Sequence, residues 1–134
     1  MQNILIPTDF SACANQAAEV AAQLARRLDA QLHILTCINI PENWHALDPQ
    51  QRSKLPEAQQ NIYNAEILLN DLRRKYSSLS VTTSYSGSKV AEEVASYTRR
   101  NNIQLIVMGS HGSSGKNEYL IGSNNQKVVR EVDC

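Results

Sequence analysis

Apolar residues in this chain fall into two kinds of run, and the two kinds alternate. Ile4-Leu5-Ile6 is short and continuous, the mark of a strand covered on both faces. From Ala12 to Leu28 the spacing changes: Ala14, Ala17, Ala18, Ala21, Ala25 and Leu28 recur at helical intervals and predict a helix with a small-residue face. Gln31 to Ile38, with Leu32, Ile34, Leu35 and Ile38, predicts a second strand. Ile62, Ala65, Leu69, Leu72 and Tyr76 form one stripe of a second helix, Glu57 to Tyr76. Val81 to Tyr85, rich in threonine and β-branched residues, predicts a third strand of edge character. Val90, Val94 and Tyr97 mark the buried face of a third helix after Gly87-Ser88, and Ile103 to Met108 predicts a fourth strand. The series βαβαβαβ calls for an α/β fold with a parallel sheet and right-handed crossovers.

Polar punctuation supports these boundaries. Pro7-Thr8-Asp9 follows the first strand, at the end where open α/β sheets bind ligands. Either Asp9 or Ser11 is placed to accept from the free N–H groups of the first helix; we assign Ser11 the cap and Asp9 the ligand. Asn39 to Pro56 carries three prolines and the only tryptophan, Trp44, and is long for a connection. Two readings stand for it: a lid in which Trp44 and His45 cover a ligand, or a surface loop with one anchoring aromatic. The basic run Arg73-Arg74-Lys75 reads as a solvated helix end favoured by the helix dipole.

Composition narrows the function. The 134 residues predict a single domain over 1–134, able to bury roughly 65–70% of its unfolded surface. Thirteen basic residues balance 13 acidic ones, which argues against nucleic acid or an acidic membrane as partner. No apolar run has the length of a membrane span and no leader precedes the first strand, so a cytoplasmic protein is expected. Cys13, Cys37 and Cys134 are scattered, as are His33, His45 and His111, so no metal site of protein ligands is expected and the cysteines read as reduced.

The chemistry concentrates between Leu105 and Ser123, LIVMGSHGSSGKNEYLIGS. A strand runs into Gly109, Gly112 and Gly115, and Gly122-Ser123 opens a segment of helical character. Glycines admit the backbone close to an anion, and free N–H groups at a helix start point at it. The P-loop fingerprint is not met, because five residues separate Gly109 from Gly115-Lys116 and Asn117 replaces the metal-binding hydroxyl. The spacing present is Gly109-x2-Gly112-x9-Gly122-Ser123. It resembles the nucleotide-binding signature of the ATP-binding branch of the universal stress protein family. Asn3 to Ser11 (NILIPTDFS) resembles that family's first strand and turn, and Ser123 to Arg130 (SNNQKVVR) is similar to its last helix.

The resemblance implies a three-layer open parallel sheet, Rossmann-like and of the adenine nucleotide alpha hydrolase-like kind, with strand order 3-2-1-4. The chain stops where the family's usual fifth strand would begin, so that strand is expected to be missing and strand four to form an open edge. On this expectation the chain is C-terminally short, a fragment or the first half of a tandem protein. The resemblance also implies ATP (or AMP or ADP) as ligand, with Mg2+ held mainly by phosphates and water. Pro7, Thr8, Asp9, Cys37 and Met108 would line the adenosine side. Gly109, His111, Gly112, Gly122, Ser123 and Asn124 would meet the phosphates, His111 serving loop geometry and backbone contact. Asn124 and Asn125 depart from the small or apolar residues usual there, and Lys116 reads as an exposed loop lysine in preference to a cation neutralising a terminal phosphate. No nucleophile–base–orienter set is present, so no catalytic residue is assigned. The expected function is regulatory nucleotide binding in a stress response, with at most slow hydrolysis and with a homodimer or a second such domain as partner. The alternative is a dimerisation or interaction module of the same family that binds no nucleotide.

Overall fold

The computed structural model describes residues 2–110, 118–121 and 127–133. Its elements are β1 (Asn3–Pro7), α1 (Ala12–Leu28), β2 (Gln31–Cys37), α2 (Pro49–Ser53), α3 (Pro56–Lys75), β3 (Val81–Ser86), α4 (Val90–Arg100), β4 (Leu105–Ser110), β5 (Glu118–Ile121) and β6 (Lys127–Asp133). They build one sheet in the order β3-β2-β1-β4-β6-β5. The five strands from β3 to β6 are mutually parallel, and β5 closes the far side as an antiparallel partner of β6.

The sheet divides two apolar layers, and strand alternation decides which residue enters which. Ile4 and Ile6 pack with Leu32, Ile34, Val107 and the alanines of α1, together with Leu69 and Tyr76 of α3. Leu5 points the other way, to Leu35, Ile106 and Val129 and to Val94 and Tyr97 of α4. Helices therefore cover both faces of a central parallel sheet, a three-layer α/β architecture. Ala17, Ala18, Ala21, Ala22 and Ala25 are all within 2% of full burial, so α1 lies close on the sheet. Leu28, expected on that face, is 46% exposed, because it falls on the helix's last turn before Asp29 reverses the backbone at φ 51°.

The expected absence of a fifth parallel strand is wrong. Lys127–Asp133 pairs in parallel with β4 from Leu105↔Val128 to Ser110↔Asp133. The same pairing overturns the last helix that Ser123 to Arg130 suggested, so far as the described residues 127–130 go, and it removes the open edge expected at strand four. Strand order in the parallel part is 3-2-1-4 followed by this fifth strand. The physical reason lies in the valines. Val129 is fully buried on the α4 side and Val132 packs on the α1 side, so β-branched residues fill both layers, as a covered parallel strand requires.

The Asn39 to Pro56 connection is not unstructured. Trp44 is 5% exposed and packs with Ile40, Ala58 and Ile62. Arg52 donates from Nε to the Trp44 carbonyl at 3.2 Å and sits over its ring at 5.2 Å from the centroid. A capping box between Asp48 and Gln51 starts α2. Among the described residues no helix is long and apolar enough to cross a membrane.

Candidate functional site

At the C-terminal ends of β1, β2 and β4 the sheet opens into a cleft of about 170 Å3. β1 lies between strands reached in opposite directions, so this is the point at which strand order reverses and crevices form in open α/β sheets. Pro7, Thr8 and Asp9 enter it from β1, Cys37 from β2, and Met108 and Gly109 from β4.

The turn after β1 is held from several directions. The Thr8 N–H donates to the Leu35 carbonyl at 2.8 Å, tying the end of β1 to β2. The Thr8 hydroxyl accepts from the Phe10 N–H at 3.0 Å, and Asp9 Oδ1 accepts from the Ser11 N–H at 3.0 Å. Ser11 then caps α1, its Oγ accepting from the Ala14 N–H at 3.1 Å. Between them Phe10 takes φ 64°, a left-handed conformation that costs a side-chain-bearing residue roughly 1–2 kcal/mol. Side-chain bonds on either side and the partly buried Phe10 ring offset this strain. The result fixes where the exposed Asp9 carboxylate stands.

Gly109 is required where β4 passes α1. A Cβ there would meet Cys13 Sγ at 2.6 Å and the Cys13 backbone carbon and oxygen at 3.0 Å. Only a glycine lets β4 run this close to the helix start. Cys13 is disulfide-bonded, which overturns the expectation of reduced cysteines at this position, whereas Cys37 is a free thiol. Burial pushes the Cys37 thiol up, and the negative charge of Glu93 adds to the effect.

Six residues singled out by sequence thus surround one cleft: Pro7, Thr8, Asp9, Cys37, Met108 and Gly109. His111, Gly112, Gly122, Ser123 and Asn124, like Lys116, lie outside the described residues. Trp44 and His45 do not line the cleft; they border a separate depression beside Tyr85. Sequence reasoning missed Ser11, Cys13, Ala14 and Leu35, which complete its walls, and Val90 at the start of α4. Val90 was expected on a buried face but is 49% exposed at the cleft. Its position one residue after the N-cap Lys89 is the signal, because a helix start points at this end of the sheet. Among the described residues no group of three histidine, cysteine or carboxylate side chains stands together to hold a metal.

The family model of the universal stress proteins matches residues 1–134. The chain belongs to the universal stress protein family. A universal stress protein of Bacillus subtilis, YxiE, is 25% identical over 145 residues, covering 98% of this chain and 93% of its own. Two solved universal stress protein structures share the fold. One, in complex with cAMP, superposes with a TM-score of 0.68 at 18% identity, covering 98% of this chain and 96% of its own. The other, from Archaeoglobus fulgidus in complex with dAMP, has a TM-score of 0.60 at 16% identity and covers 81% of each chain. At 18% and 16% identity the likeness of this universal stress protein to these structures is one of fold.

Proposed function

We propose that this universal stress protein binds an adenine nucleotide in the cleft at the ends of β1, β2 and β4, as a regulatory ligand. The observation that carries the reading is the convergence of Pro7, Thr8, Asp9, Cys37, Met108 and Gly109 on one concavity at the strand-order reversal. Their chemistry suits a nucleoside. Pro7, Leu35, Met108 and Val90 offer apolar walls to a base, and Asp9 and the backbone beside it offer acceptors to ribose hydroxyls. Relatives of the same fold are bound to cAMP and to dAMP, which supports an adenine nucleotide as the ligand class. ATP is the form proposed, because the Gly109-x2-Gly112-x9-Gly122-Ser123 spacing resembles a nucleotide-binding signature, whose glycines would admit phosphates close to the backbone. Magnesium would arrive with it, held mainly by phosphates and water. Binding with at most slow hydrolysis, in a cytoplasmic homodimer, completes the proposal.

Calorimetric titration with Mg-ATP, AMP and cAMP tests it. Saturable binding is expected, with Asp9→Ala weakening all three ligands and Gly122→Val weakening ATP most. A folded wild type that gives neither heat nor a thermal shift with any of them overturns the reading and leaves a family module that works without nucleotide.

A further inference from the structure

Past the end of β2 the molecule carries a second concavity, a depression of about 320 Å3 that shares no lining residue with the nucleotide cleft among the described residues. Three elements build it: the connection after β2, the end of β3 and the outer face of α4. The connection is fixed where it meets β3. The Ile38 N–H donates to the Ser86 carbonyl at 2.8 Å, and the Trp44 N–H donates to the Pro41 carbonyl at 3.1 Å. A Cβ at Gly87 would meet the Ile40 and Pro41 carbonyls at 2.6 and 2.8 Å, so only glycine lets β3 end this close to the connection. With Trp44 buried beneath, this wall is formed before any ligand arrives.

Glu93 and Arg100 are seven residues apart on α4, which sets them on one helix face two turns apart. Arg100 Nη2 donates to Glu93 Oε1 at 2.6 Å and Arg100 Nε to the Ser96 hydroxyl at 3.2 Å. The guanidinium also sits 5.6 Å from the Tyr97 ring centroid. The pair is thereby held in place, with Nη1 and Oε2 left as a donor and an acceptor beside each other. Ser84, Ser86 and Ser88 bring hydroxyls to the same depression. Ser86 Oγ already accepts from the Ser88 N–H at 3.1 Å, so its own O–H is the group left to donate. The His45 and Tyr85 rings, 5.7 Å apart and tilted by 35°, add carbon surface.

These walls select against charge. An anion would meet the carboxylates of Glu42 and Glu93, and a cation would meet Arg100. A vicinal diol answers the ion pair without breaking it, because one oxygen accepts from Arg100 while its neighbour donates to Glu93. The serines donate to or accept from further hydroxyls, and the C–H face of a saturated ring suits the aromatic side. We propose that this depression is a second ligand site, which binds a neutral polyhydroxylated ring, a sugar or a cyclitol, through the Glu93–Arg100 pair. The site stands apart from the proposed nucleotide cleft, so either reading can fail without the other.

Amide NMR titration of the intact chain tests the proposal, with glucose and myo-inositol as probes and cyclohexanol as a ring without a diol. Both polyols should give saturable shifts at His45, Ser84 to Ser88 and Glu93, and cyclohexanol should not. Millimolar affinity is expected for ligands of about twelve non-hydrogen atoms. Glu93→Gln and Arg100→Gln should each raise Kd by about tenfold, the loss of one charge-assisted bond. Ser84→Ala touches neither charge and should raise it by about threefold, which keeps the test open if an α4 variant folds poorly. Polyol shifts confined to Thr8, Cys37 and Met108 would place the diol in the nucleotide cleft and overturn the proposal. So would a wild type that answers a primary amine or acetate but neither polyol, one that answers cyclohexanol equally, or one that gives no saturable shift. Polyol binding that all three variants leave unchanged would overturn it as well.

Discussion

His33 Nδ1 lies 2.8 Å from the Tyr97 hydroxyl, joining the middle of β2 to α4 inside the core. The other ring nitrogen, Nε2, is 3.0 Å from Asn3 Oδ1. Asn3 is oriented by its own Nδ2, which donates to the Asn102 carbonyl at 3.3 Å. Nε2 therefore carries the proton and donates, and Nδ1 accepts from the tyrosine, which fixes a neutral imidazole. Burial lowers the His33 pKa below its ordinary 6.5. The unfolded chain thus protonates before the folded one as pH falls. Stability from the neutral ring is complete above 6.5 and is lost as pH drops through the depressed folded value. Urea midpoints should hold from about pH 8 to about pH 7 and decline toward about pH 5. His33→Gln should flatten that decline, and an unchanged slope would assign it to other groups.

The same pair predicts a cost at neutral pH. Tyr97→Phe keeps the ring packing but leaves Nδ1 without its donor in a buried setting. A loss of about 1–3 kcal/mol is expected from denaturant unfolding at constant m-value.

Gly109→Ala should separate packing from ligand chemistry. Its Cβ would press on the Cys13 sulfur and, at 3.0 Å, on backbone that cannot swing aside. Overpacking of this kind costs about 1–3 kcal/mol, so the melting temperature should fall and nucleotide affinity should fall with it. Gly87→Ala makes a comparison, because its Cβ would strike the carbonyls of Ile40 and Pro41 at 2.6 and 2.8 Å, away from the cleft. That variant should lose stability while the affinity of the remaining folded protein holds.

Asp9 serves both the turn and the proposed ligand, and two substitutions divide these roles. Asp9→Asn retains an oxygen for the Ser11 N–H and removes the charge, so stability should hold while nucleotide affinity drops by about tenfold, the loss of one charge-assisted bond. Asp9→Ala removes both, and should also lower the melting temperature. Equal affinity for wild type and Asp9→Asn would place the carboxylate in the turn alone.

Much of this architecture is legible in the chain because strand and helix periods differ. Ile4-Leu5-Ile6 reads as covered on both faces because each layer takes alternate residues. Ser11 reads as a cap because its hydroxyl precedes a helical alanine pattern. The β6 strand was hidden because KVVREV satisfies a helical pattern as well as a strand pattern. Its pairing with β4, more than twenty residues earlier, chooses between them. Val90 and Trp44 were ambiguous for a related reason. An apolar residue at an element's end is buried or exposed according to what tertiary neighbour stands there. Six of the eleven residues expected to hold the nucleotide come together because strand ends converge in any such sheet, a property of topology that spacing can encode.

Cys37 offers a reading of cleft occupancy that does not depend on heat of binding. Its thiol is free and half-buried at the end of β2, and burial and the Glu93 carboxylate both disfavour the thiolate. Alkylation should therefore be slow at neutral pH and accelerate as pH rises. Glu93→Gln should speed it by removing the second of those causes, although the variant also releases Arg100 from its 2.6 Å ion pair. Arg100→Gln controls for that release: it should leave the Glu93 charge in place and the thiol slow. If an adenine base sits against β2, saturating nucleotide should protect Cys37 from iodoacetamide in proportion to occupancy. The protection constant should then equal the calorimetric Kd. Nucleotide that binds tightly yet leaves the Cys37 rate unchanged would move the base away from β2, toward the α1 and β4 side of the cleft.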